Sequence, residues 1–191
     1  MLLLADECHL VWGDACGYVW GPKGQRSVLP IANIRERQTY YGGLNLLSGA
    51  TVLWEASAGN QDNTVAFLIY LRQCFQGRRL IIVWDGARYH TASRVQEYLT
   101  QLQGPQCPEP QRQIHLMQFA PYAPAQNPME DVWLAGKRAV RQHWAELTTF
   151  QEVKEVFSRT VARHVFLSDK LNWYGRDALI RRRREHGFRW E

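Results

Sequence analysis

The amino-acid sequence predicts an α/β domain, a mixed sheet with helices on both faces, and three observations carry that reading. β-rich segments crowd the first 56 residues, with Ser48-Gly49 between two of them as a hairpin turn. Leu80-Ile81-Ile82-Val83-Trp84 is an unbroken apolar run without polar alternation, the pattern of a strand buried on both faces. From residue 62 onward, helical and strand signals alternate, which favours parallel strands joined by crossing helices.

In order, residues 2–5 open as a core strand that runs into Asp6-Glu7, followed by strand signals at 9–12 and 18–20, the last with Gly and Pro on either side. Residues 39–47 and Thr51–Ala56 form the hairpin. Asp62 or Asn63 caps a helix to about Phe75, in which Phe67, Leu68, Leu71 and Phe75 recur at helical spacing. After Leu80–Trp84, Thr91 or Ser93 opens a helix to about Leu102, and 114–119 is the next strand. Two helices follow, from Pro128 to about Trp144 and from Thr149 to about Phe166. Pro128 suits a first helical turn, where its missing N–H has no partner to lose. Asn127 is then a natural N-cap, with Glu130 one turn inside.

Three acidic positions gain rigid support from this layout. Asp85-Gly86 ends the buried strand, Asp6-Glu7 ends the first apolar run, and Glu130 projects from a helix start. Oxygen ligands fixed in this way suit hard divalent cations. Each has a rival reading. Asp85-Gly86 has turn chemistry, and Asn127 to Glu130 has the spacing of a capping box. Asp6 and Glu7 cannot both enter one site if the strand continues, because side chains alternate across it. Trp133 reads as core, and Asp131 faces away from the three acids.

The residues that carry this chemistry resemble a known family. Asp6-Glu7 after a short strand, Trp84-Asp85-Gly86-Ala87-Arg88-Tyr89-His90, and the Pro-Tyr-x-Pro-x-x-Asn-Pro-x-Glu-x-x-Trp stretch at 121–133 look like the three catalytic blocks of IS630-type transposases. These belong to the IS630/Tc1/mariner superfamily of DDE transposases. Trp20-Gly21-Pro22-Lys23-Gly24 resembles the family's segment after the first block. The resemblance implies a ribonuclease H-like fold, a catalytic triad of Asp6, Asp85 and Glu130, and Mg²⁺ or Mn²⁺, as two ions, held by those same residues. It favours Asp6 over Glu7 as the ligand. Asp85 and Glu130 stand 45 positions apart, wider than the family's usual spacing, and the Pro-rich loop 104–110 accounts for the excess as a surface insertion. Alanines at 123 and 125 and Gln126 depart from the family at flanking positions. Family members carry helix-turn-helix modules ahead of the catalytic domain, so such a region is expected upstream or from another reading frame. The implied function is metal-dependent cutting of transposon ends and transfer of the 3′-hydroxyl into target DNA, by a homo-oligomer on DNA. The rivals are an inactive or recruited remnant that binds DNA or a partner, and another ribonuclease H-like nuclease.

Composition agrees with a globular chain of 191 residues, 46% apolar with eight Trp, eight Tyr and seven Phe. No segment is long and apolar enough to suggest a membrane span, and the first residues lack the basic start of a signal peptide. Cys8, Cys16, Cys74 and Cys107 have no zinc spacing and read as reduced thiols of a cytoplasmic, nucleoid-associated protein. The net charge of +5 is uneven: residues 137–191 hold 13 Lys/Arg against 7 Asp/Glu, whereas 1–136 hold 10 against 11. This points to a catalytic domain over 1–166 and a basic C-terminal extension over 167–191. The expected DNA contacts are Lys137, Arg138, Arg141, Arg181, Arg182, Arg183 and Arg184. His90 has two readings, a hydrogen-bond donor near the scissile phosphate and a residue that stabilises its loop.

Overall fold

A computed structural model describes residues 1–15, 22–25, 36–104, 113–121 and 124–186. The strand signal at 18–20 and most of the Pro-rich loop, 105–110, lie outside these residues, as do Cys16 and Cys107. Five strands form one sheet in the order β3-β2-β1-β4-β5: β1 (Leu2–Val11), β2 (Arg37–Asn45), β3 (Thr51–Ala56), β4 (Leu80–Trp84) and β5 (Ile114–Gln118). The first three are antiparallel neighbours, and β1, β4 and β5 run parallel. Helices α1 (Gln61–Cys74) and α2 (Ser93–Gln103) cover one face, and α3 (Met129–Gln142) and α4 (Phe150–Arg163) cover the other.

Alternation along the strands builds two cores. Leu4, Cys8 and Leu10 of β1 pack with Val83, Met129, Val132, Trp133 and Phe157 on the α3/α4 face. Leu3 and Ala5 pack with Ile82, Trp84, Phe67 and Leu71 on the α1/α2 face. Burying each large apolar side chain contributes about 1.5–3 kcal/mol, which the ordering of the chain largely offsets. Gly136 brings α3 close to α4, since a Cβ there would stand 2.7 Å from the Phe157 ring. A capping box starts α4, with the Thr149 hydroxyl accepting from the Glu152 N–H and the Glu152 carboxylate accepting from the Thr149 N–H.

Two sequence expectations are corrected. The apolar runs 2–5 and 9–12 are one ten-residue strand, not two, and Trp12–Ala15 is a 3-10 turn. The pair Asp6-Glu7 does not end the strand, because β2 pairs with β1 continuously from Leu3 opposite Asn45 to Val11 opposite Arg37. The second concerns the start of α3, which is one residue later than expected, with Pro128 as the capping position. Asn127 still caps: its Oδ1 accepts the Met129 N–H at 3.0 Å.

Beyond residue 166 the chain forms α5 (Lys170–Trp173) and α6 (Arg176–His186). Leu171 is fully buried in the α3/α4 core, Lys170 pairs with Asp131 at 2.7 Å, and the Tyr174 hydroxyl donates to the Gln126 carbonyl. The described part of this segment is therefore tied to the body. No helix among the described residues is long and apolar enough to cross a membrane.

Candidate active site

The site lies where β1 outruns β4. Leu4 stands opposite Val83, so two residues further on Asp6 is level with Asp85, just past the end of β4. Because β1 continues, Asp6 and Glu7 enter opposite faces and meet different neighbours.

On the α3/α4 face, Asp6 Oδ2 accepts the Trp133 indole N–H at 3.0 Å. Gly42, opposite Asp6 on β2, makes this possible, because a Cβ there would collide with the Trp133 ring and with Met129. The start of α3 is indexed to the strand by Asn127, whose Nδ2 donates to the Ala5 carbonyl at 3.3 Å from a buried position. One turn on, Glu130 is exposed and close enough to act on Asp6. Burial, then the like charges of Glu130 and Glu7, push the Asp6 carboxyl up to about 8, against the opposing Trp133 hydrogen bond.

On the α1/α2 face, His90 is buried and stacks on Trp84 at 4.0 Å between ring centroids. Its Nε2 donates to Glu7 Oε1 at 2.8 Å, and Nδ1 faces Asp85 Oδ1 at 3.1 Å and the Asp85 carbonyl at 3.2 Å. Tyr89 donates its hydroxyl to Glu7 Oε2 at 3.3 Å. Burial alone would lower the His90 pKa, but the bonds to Asp85 and Glu7 outweigh it and raise it to about 9. The Asp85 carboxyl is held below the usual range, first by the His90 hydrogen bond, with the Ala87 N–H assisting. One ligand atom from each of Glu7, Asp85 and His90 lies within 4.8 Å of the others, a spacing that suits a metal ion.

The matching family model, described as DDE superfamily endonuclease, covers residues 1–154. The chain belongs to this DDE superfamily. Its fold is that of ribonuclease H-like transposase catalytic domains. The mariner Mos1 paired end complex with Mg matches with a TM-score of 0.60 at 18% identity, over 96% of this chain and 53% of that one. The catalytic domain of Mos1 mariner transposase matches with a TM-score of 0.53 at 18% identity, over 95% and 78%. A simian T-cell lymphotropic virus intasome matches with a TM-score of 0.56 at 12% identity, over 88% and 50%. The chain thus spans about half the length of the chain in the Mos1 paired end complex. No curated protein sequence gives a significant match.

Within this DDE fold, Glu130 acts on Asp6, and Asp85 is level with Asp6 by the β1–β4 register, but its Oδ1 is turned toward His90 and its nearest acidic and imidazole partners are Glu7 and His90. Trp133 is core, as its spacing indicates, but it also holds Asp6, a role that helical spacing does not signal. His90 is buried with both ring nitrogens facing acceptors, Glu7 on one side and Asp85 on the other. Lys137, Arg138 and Arg141 follow Glu130 along α3. Arg181, Arg182, Arg183 and Arg184 lie on α6. Arg183 and Arg184, with Arg78 and Arg79, line a cavity of about 1450 Å³ beside Met1 and Leu2, at the end of β1 away from Asp6.

Proposed function

We propose that the chain is the catalytic domain of an IS630-type DDE transposase that cuts transposon ends and joins the freed 3′-hydroxyl to target DNA. The observation that carries this reading is a placement: half-buried Asp6 is level with Asp85 at the end of β4 and within electrostatic reach of Glu130 on the first turn of α3, and its carboxyl is raised accordingly. Carboxylates gathered without compensation, beside parallel strand ends, fit hard oxygen-liganded cations such as Mg²⁺ or Mn²⁺. Mos1 structures with Mg and with Mn share the fold.

Asp6, Asp85 and Glu130 would hold the ions, two being the number that suits in-line phosphoryl transfer. Bound there, such ions activate the attacking oxygen and stabilise the leaving one. The chain's own residues supply the frame. Trp133 fixes one oxygen of Asp6, Asn127 sets the height of α3 against β1, and Glu130 reaches in from the first turn of that helix. Lys137, Arg138 and Arg141 would meet phosphates further along the same helix, positioning DNA without reading its sequence. Recognition of transposon ends, assembly of a homo-oligomer on DNA and nucleoid association belong to the same proposal, with end recognition assigned to a helix-turn-helix region.

The test is nicking of supercoiled DNA by the purified chain. Mg²⁺ or Mn²⁺ should be required, and Asp6→Asn, Asp85→Asn and Glu130→Gln should each abolish nicking while DNA binding persists. Nicking that continues in EDTA, or in all three variants, overturns the reading.

A further inference from the structure

Glu7 and His90 form a buried pair that no part of the proposed chemistry uses. We propose that they are positioning residues, a strut that pins Asp85 Oδ1 and leaves Oδ2 to meet a cation, and that Glu7 is not itself a ligand. The inference rests on the reading of Asp85 as a metal ligand.

The geometry carries it in three steps. Asp85 Oδ1 has two partners, the Ala87 N–H at 3.0 Å and His90 Nδ1 at 3.1 Å, whereas Oδ2 has none among the described residues. The Asp85 side chain is 55% exposed, so without those bonds it would be free to turn about its χ angles past the end of β4. His90 cannot drift, because it stacks within 7° of parallel on Trp84 and its Nε2 is fixed by Glu7. Glu7 is fixed in turn: its side chain is 7% exposed, one oxygen accepts from His90, and the other accepts from Tyr89. A cation held by Glu7 and His90 would need an imidazole lone pair. Both ring nitrogens here are already engaged by oxygens, Nε2 by Glu7 and Nδ1 by Asp85. Orienting partners of ligand side chains typically account for 10–100-fold in metal affinity.

The experiment is Mn²⁺ binding to the metal-free chain without DNA, followed by calorimetry and by the electron paramagnetic resonance of free Mn²⁺, below each variant's melting transition. A strut needs an acceptor at position 7, whereas a ligand needs a charge. Glu7→Gln keeps the acceptor and should bind Mn²⁺ close to wild type. Glu7→Ala and His90→Phe, which break the strut, should weaken binding roughly 10–100-fold, and Asp85→Asn should weaken it further. Glu7→Gln as defective as Asp85→Asn would make Glu7 a ligand and overturn the proposal. So would wild-type affinity in Glu7→Ala or His90→Phe. If Glu7→Ala does not fold, Glu7→Gln and His90→Phe still decide. Wild-type chain that binds no Mn²⁺ would instead overturn the metal-site reading itself, a distinct result.

Discussion

Asp6 and Glu7 are neighbours on one strand, yet their surroundings are built on opposite plans. Glu7 is compensated: His90 lies between it and Asp85, Tyr89 takes its second oxygen, and the stack on Trp84 closes the group. Asp6 is not: it meets Glu130, another acid, and the Trp133 indole N–H does not offset burial and like charge. The difference teaches which side of β1 the fold stabilises by itself. Folding tolerates an uncompensated acidic pair at a few places, and such perturbed groups mark functional sites. On the proposed reading the compensated side is scaffold, and the frustrated side is where a cation would lower the free energy.

The largest test of that contrast is the loss of compensation. Glu7→Ala leaves His90 charged and buried with one partner gone, and breaking a buried pair in this way costs about 3–5 kcal/mol. Urea denaturation of the metal-free chain should show that loss. A cost under about 1 kcal/mol, the level of an exposed pair, would mean that the two sides of β1 are not different in kind.

Asp6→Asn should do the reverse, stabilising the metal-free chain, and more at pH 8.5 than at pH 5, because the cost of ionising Asp6 in the fold grows with pH until its folded pKa is passed. The folded pKa of Asp6, about 8, lies above the ordinary 3.8, so its contribution is fully present below 3.8 and is lost as pH rises through about 8. His90 acts in the same direction, its contribution present below 6.5 and lost through about 9. Wild-type stability should therefore fall as pH rises from about 4 to about 9, Asp6→Asn should fall less, and Mg²⁺ should restore the wild type only. Equal pH profiles in denaturation melts of the two proteins would remove Asp6 as the frustrated group.

A steric pair probes the same divide more gently. Gly42→Ala pushes a methyl group into Trp133 and Met129 and should cost about 1–3 kcal/mol as overpacking. Gly43→Ala, whose Cβ would meet only Leu3 at 3.9 Å, should stay near neutral. Equal melting temperatures for the two would show that Trp133 is not held tightly against Asp6.

Much of this architecture is legible along the chain because its signals are local. The buried run Leu80–Trp84, the helix that starts at Thr149 and the turn at Ser48-Gly49 each declare themselves within a few residues, and Gly49 takes the positive φ of 70° that such a turn favours. The continuation of β1 through Asp6-Glu7 is not legible, because two charges in a row look like a strand end. Only the distant β2 and the His90 imidazole make the pair tolerable inside a sheet. Glu7 and His90 are 83 positions apart, and periodicity cannot join residues across that distance. Arg183 and Arg184 likewise come to line one cavity with Arg78 and Arg79 only through the placement of α6.

The smallest expected effect on stability comes from the joint between the strand and α3. Asn127 uses Oδ1 to cap the helix at Met129 and Nδ2 to hold the Ala5 carbonyl, one residue from Asp6. Asn127→Ser keeps a capping oxygen and removes the tether, so the helix should persist while its registry with β1 loosens. Losing one neutral hydrogen bond costs about 1 kcal/mol, a modest shift in a urea transition. The informative readout is the Asp6 carboxyl, followed by ¹³C NMR in the metal-free chain. If Glu130 adds to that pKa because Asn127 fixes α3 at the right height, loosening the joint lets the two acids separate, and the Asp6 pKa should fall somewhat below about 8 while burial, the larger cause, keeps it above the ordinary carboxylate range. Burial alone would leave it unchanged. An Asn127→Ser chain with an unaltered Asp6 titration would show that proximity to Glu130 adds nothing to desolvation on this side of β1.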